Sequence, residues 1–114
     1  MYDFKLEENE KIELISDNTI IYFDNESKKY TTIITNKRLL ILDYPSNIYN
    51  SMEDLRASGK MIYIKKKEVI LEMFLDNIVL LNDEKKFYKI VFKDGKYLNL
   101  NDDEIIDCLK KKLH

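Results

Sequence analysis

The chain alternates between apolar runs and short polar breaks, and the clearest pair of runs lies between Tyr30 and Leu42. Tyr30, Thr31, Thr32, Ile33, Ile34 and Thr35 are β-branched or aromatic throughout, and Leu39, Leu40, Ile41 and Leu42 are continuously aliphatic. Asn36-Lys37 separates them where a two-residue hairpin loop belongs, and Asn is the commonest non-glycine residue at positive φ. The pattern predicts two antiparallel strands joined by a tight turn. Leu39 and Ile41 face opposite to Leu40 and Leu42, so the second of these strands is apolar on both sides and needs cover on both.

Upstream, residues 3–11 are polar with Phe4 and Leu6 as anchors, which predicts a turn or short helical lead-in. Ile12 to Phe23 reads as a strand with a bulge or break at Ser16-Asp17-Asn18, and a polar loop then leads into the central hairpin. Downstream, Pro45 has no N–H for a sheet and ends the third strand. Ser51-Met52-Glu53-Asp54 resembles a capping box, and with Gly59 as a stop it predicts a short helix at 52–58. Met61, Tyr63 and the run Val69 to Leu75 are strand-like on either side of Lys65-Lys66-Lys67-Glu68. There the chain either turns or runs on as one long strand.

Asp76-Asn77 and Asn82 to Lys85 punctuate an apolar run at Ile78 to Leu81. From Lys86 to Lys93 the alternation puts Tyr88, Ile90 and Phe92 on the core face. Asp94-Gly95 predicts a type I′ hairpin turn into a last strand at Lys96 to Leu100. The period then changes. Asn101 is placed as N-cap with Glu104 three residues on, and Ile105, Ile106, Leu109 and Leu113 form one helical face with Cys108 at its edge. Lys110, Lys111 and Lys112 suit the negative end of the helix dipole. A single amphipathic helix of this length is marginal alone, so it should cap the open mouth of the sheet. The expectation is a mainly β fold with a C-terminal α-helix: one domain over 1–114, with a lead-in at 1–11, about seven antiparallel strands within 12–100, and a helix at 102–113.

Composition narrows the chemistry. A chain of 114 residues, 45% hydrophobic, sustains one core but not two. Nineteen basic against 21 acidic residues, a net charge of −2, predicts no nucleic-acid partner. No stretch has the apolar length of a signal peptide or membrane span, and the single cysteine forms no internal disulfide; both point to the cytoplasm. Cys108 reads as a half-buried small hydrophobe and His114 as a solvated terminus. The acidic runs at 82–84 and 102–104 lack the spacing of a calcium loop, and two glycines are too few for a phosphate-cradling loop. No catalytic residue, cofactor, metal or small-molecule substrate is expected.

Thr35-Asn36-Lys37-Arg38-Leu39 resembles the Thr-Asn-x-Arg-Leu signature of bacterial pleckstrin-homology-like (PH-like) domains and the related GRAM domains. Leu6, Glu10 and Ile12 resemble that family's lead-in, Leu75-Asp76-Asn77-Ile78 its Leu-x-x-Ile before strand five, and Asp94-Gly95 and the last helix occur where the family has them. The resemblance covers residues 6–114 and implies a PH-like split barrel of about seven strands capped by one helix. It also implies a non-catalytic protein-interaction or self-assembly module. The wider superfamily offers an alternative, a peripheral membrane or phospholipid-headgroup binder. For that alternative the candidate anion contacts are Lys28, Lys29, Lys37, Arg38, Lys65, Lys66 and Lys67. For the first, Tyr30, Ile41, Leu42, Tyr44, Tyr49 and Tyr63 are candidate interface residues, because tyrosine tolerates partial exposure and gives a large contact area.

Overall fold

A computed structural model describes residues 2–44 and 67–113; the helix expected at 52–58, the strand end at Pro45, and Tyr49, Met61, Tyr63, Lys65, Lys66 and His114 lie outside them. In chain order the elements are β1 (Tyr2–Asp3), β2 (Ile12–Tyr22), β3 (Ser27–Thr35), β4 (Arg38–Asp43), β5 (Lys67–Phe74), a 3-10 turn (Leu75–Asn77), β6 (Ile78–Asp83), β7 (Tyr88–Phe92), β8 (Tyr97–Asn101) and α1 (Asp103–Lys112). Hydrogen bonding orders the strands β1-β5-β4-β3-β2-β8-β7-β6. The two-residue β1 runs parallel to β5 where the lead-in was expected to be a turn or helix, and all other pairs are antiparallel.

The order dictates the shape. Six inter-strand steps separate β5 from β6, a distance of about 29 Å across a flat sheet. Yet the chain passes from Phe74 to Ile78 through the 3-10 turn, a reach of at most about 14 Å. The sheet therefore rolls, with β2 to β8 pairing as its spine, but β5 and β6 do not hydrogen-bond to each other and it does not close into a barrel. The rolled interior is filled by Ile21, Ile34, Leu39, Ile41, Ile90, Phe92 and Leu100, and Ile105, Ile106 and Leu109 of α1 pack into the same core. The alternation in β7 behaves as its sequence predicts: Ile90 and Phe92 are buried and Tyr88 packs against the core.

A bulge and a cap fix the start of the helix. The register of β2 shifts between Ser16 and Thr19, as the polar break there predicts. The Ser16 and Thr19 hydroxyls donate to Asp102 Oδ2 at 2.5 and 2.8 Å, while Asp102 Oδ1 accepts from the Ile105 N–H at 3.3 Å. Asp102, not Asn101, is thus the N-cap; Asn101 completes β8. Both residue types cap well, and the hydroxyls of β2 decide between them. At the other end Lys112 pairs with Glu13. Leu113 falls off the buried stripe and is 38% exposed at the helix C-cap.

Both hairpin turns differ from expectation. Asn36 is not at positive φ. Instead the Thr35 hydroxyl accepts from the N–H groups of Lys37 and Arg38 at 3.0 and 2.8 Å, bending the chain without a left-handed residue. At 93–95, only Gly95 has positive φ, +87°, and Asp94 does not. The Gly95 N–H donates to the Phe92 carbonyl at 2.9 Å and the Phe92 N–H to the Lys96 carbonyl at 2.9 Å. This is the three-residue loop with glycine in the left-handed bulge position, not type I′. A side chain at Gly95 meets nothing within 4 Å, so Gly95→Val should cost only its backbone strain, about 1–2 kcal/mol. A urea midpoint unchanged from wild type would contradict that conformation.

Candidate functional site

Most of the basic candidates are engaged within the fold. Arg38 is 6% exposed, and its guanidinium donates Nε to Glu10 Oε2 at 2.8 Å and Nη2 to Glu10 Oε1 at 2.5 Å. It also reaches the Lys5 carbonyl at 2.8 Å and Glu72 at 3.0 Å. This planar two-point geometry is the one arginine and carboxylate make best. Thr35 Oγ1 donates to the same Glu10 at 2.6 Å; Asn36 accepts from the Lys11 N–H at 2.8 Å and donates to the Asn9 carbonyl at 3.0 Å. Thr35, Asn36 and Arg38 therefore clasp the lead-in onto the hairpin. The Arg38 hydrogen bond, outweighing burial, holds the Glu10 carboxyl down at about 2, and the pairing pushes the Arg38 guanidinium upward.

Lys37 Nζ donates to the Glu8 carbonyl at 2.8 Å, and Lys28 pairs with Asp43. Lys67 donates to Thr31 Oγ1 at 2.6 Å, lies 3.4 Å from Asp17 and sits 5.2 Å over the Tyr44 ring. Lys29 is exposed and has no ion pair among the described residues. Among the described members of this set, Lys28, Lys37, Arg38 and Lys67 are each tied to a different partner within the fold.

The aromatic and aliphatic candidates divide similarly. Ile41 belongs to the rolled core, whereas Leu42 lies on the opposite face of β4 with Ile33 and Leu40, packed against Phe4 and Val69. Ile41 and Leu42 are 1% and 0% exposed, so neither is a surface group. Tyr30 is half-buried beneath Lys28, and burial pushes its phenol upward; Tyr44 is exposed. Cys108 is half-buried with its thiol pushed up by that burial, the opposite of an activated nucleophile. Among the described residues no group of His, Cys, Asp and Glu is arranged to hold a metal ion, and no helix is long and apolar enough to cross a membrane.

A different feature stands out. β6 pairs only with β7 among the described residues, leaving its other edge without a neighbouring strand. Its register shifts between Ile78 and Leu80, so Val79 is a bulged extra residue, and Val79 and Leu80 are 55% and 53% exposed. Between this strand and the end of α1 runs a groove of about 370 Å³ lined by Ile78, Val79, Leu80, Leu81, Lys110 and Leu113. Its one charged group among the described residues, the Lys110 ammonium, donates to the Tyr88 hydroxyl at 2.9 Å and lies 4.7 Å from that ring's centre. The hydrogen bond to Tyr88, aided by Asp107 and Asp83, raises the Lys110 pKa. The sequence holds one signal for this site: four aliphatic residues in succession at 78–81 make a strand apolar on both faces. β4 carries the same signal but sits inside the sheet between β3 and β5. No family model, no curated protein and no solved structure matches the chain.

Proposed function

We propose that the protein is a non-catalytic PH-like interaction module that takes an extended segment of a partner protein along the free edge of β6, against α1. The carrying observation is the coincidence of an apolar strand edge, unpaired among the described residues, with the groove between Val79-Leu80 and Lys110-Leu113. An edge strand offers backbone donors and acceptors to another strand, and natural sheets usually protect such an edge with lysine, proline or a covering segment. β6, Ile-Val-Leu-Leu-Asn-Asp, has no lysine or proline, and its defence is limited to the bulge at Val79 and the terminal Asp83. Main-chain hydrogen bonds then supply affinity, and the groove selects alternate side chains. The PH-like reading draws support from the antiparallel order with first and last long strands paired, the C-terminal helix docked on the core, and the clasp built by Thr35, Asn36, Arg38 and Glu10. A cytoplasmic location fits this reading.

Lipid-headgroup binding is the competing outcome, and the internal engagement of Lys28, Lys37, Arg38 and Lys67 favours it less. The test uses a blocked hexapeptide of alternating valine and threonine as probe, followed by amide shifts of the ¹⁵N-labelled protein. Shifts should concentrate at Ile78–Leu81 and Lys110–Leu113. Val79→Asp and Leu80→Asp should each keep stability within about 0.5 kcal/mol, as exposed positions do, and lose those shifts. Salt-sensitive pelleting with anionic vesicles that Lys29→Glu abolishes, with β6 silent to peptide, would replace this reading with the membrane one.

A further inference from the structure

Resting on that reading of the groove, we infer that its occupant is an apolar segment with one acidic group, placed at the Asp83 end of β6. Among the described residues Lys110 is the groove's only charged lining residue; the other five are aliphatic. Its position along the strand follows from register. Lys110 Nζ is bonded to Tyr88, and Tyr88 is paired with Asp83, the last residue of β6, whereas Ile78 pairs with Phe92 at the far end. The hydroxyl and ring of Tyr88 hold the ammonium in one place, so an incoming carboxylate meets a positioned charge, not a freely moving one. A second copy of this chain is a poorer occupant. Antiparallel pairing of β6 with itself would bring the second copy's Asp83 to the Ile78 end, away from Lys110.

The charge preference has a bounded size. Asp83 and Asp107 act on the same ammonium, and Lys110 is exposed, so a ligand carboxylate gains the modest advantage of a surface ion pair, about two- to fivefold in affinity.

Three blocked peptides test this: the valine–threonine hexapeptide extended by Glu at its N-terminal end, by Glu at its C-terminal end, and by Gln in place of Glu. One Glu peptide should bind about two- to fivefold tighter than the Gln peptide at low salt, with the difference shrinking at high salt. Antiparallel addition to β6 favours the N-terminal Glu and parallel addition the C-terminal one, so the winner reports strand direction. Lys110→Gln should abolish the preference while leaving the shifts at Ile78–Leu81, and Lys110→Arg should retain it. Equal binding of all three peptides, or a preference that survives Lys110→Gln, overturns the acidic assignment alone. Absence of shifts in β6 and α1 with every peptide overturns the groove reading beneath it.

Discussion

Arg38→Ala is expected to remove about 3–5 kcal/mol of stability, the cost of leaving one member of a buried ion pair without the other. That is a large share of the roughly 5–15 kcal/mol available to a domain of this kind. The Glu10 side chain is 0% exposed and that of Arg38 7%, so losing the guanidinium leaves a buried carboxylate without its counterion. The variant also frees the Lys5 carbonyl and Glu72, and with them the lead-in. Glu10→Leu combined with Arg38→Met should recover much of the loss, since paired apolar replacement of a buried ion pair is often near neutral. Acid titration gives a second readout. Folding lowers the Glu10 carboxyl from 4.5 to about 2. Its contribution is therefore complete above about 4.5 and is lost as pH falls from there toward 2. In Arg38→Ala the same carboxyl is buried without a counterion, so protonating it relieves the variant. The urea-midpoint gap between wild type and variant should narrow over that interval. A gap of constant size from pH 6 to pH 2.5 would show that Glu10 is not the partner that matters.

Local chemistry was legible in the sequence; what depends on distant pairing was not. Alternation at Tyr88, Ile90 and Phe92 found the core face of β7, and the spacing of Ile105, Ile106 and Leu109 found the buried face of α1. Both signals depend only on residues a few positions apart. Arg38 next to Lys37 reads as a surface cation because its carboxylate lies 28 residues away in Glu10. Helix capping moved by one residue for the same reason: Asp102 has hydroxyl partners 86 and 83 residues upstream. The turn at Thr35–Arg38 satisfies itself through a threonine hydroxyl, an option that the Asn-based expectation did not weigh. For the groove, Leu39–Leu42 and Ile78–Leu81 present the same two-sided apolar pattern. The difference between an interior strand and an edge strand is a matter of sheet order, which periodicity does not contain.

Deleting Asp102 to His114 should convert the chain to a loosely packed, aggregating state. Ile105, Ile106 and Leu109 are 0%, 2% and 0% exposed in the rolled core, and burial of three such side chains contributes about 5–9 kcal/mol. The deletion also unpairs Ser16 and Thr19, whose hydroxyls have Asp102 as acceptor, so two buried hydroxyls of β2 lose their acceptor as well. Near-UV circular dichroism and dye binding should show lost packing with much of the strand signal kept. Leu109→Ala gives the graded version, a loss of about 2–5 kcal/mol with the helix still present. The two variants separate stability from binding, because α1 is both the cover of the core and one wall of the β6 groove. Leu109→Ala, while folded, loosens the helix carrying Lys110 and Leu113 and should weaken peptide binding without touching either residue. Should the truncated chain unfold cooperatively near the wild-type midpoint, the helix is not the core's cover; should it also keep the peptide-induced shifts at Ile78–Leu81, the groove is not built against α1.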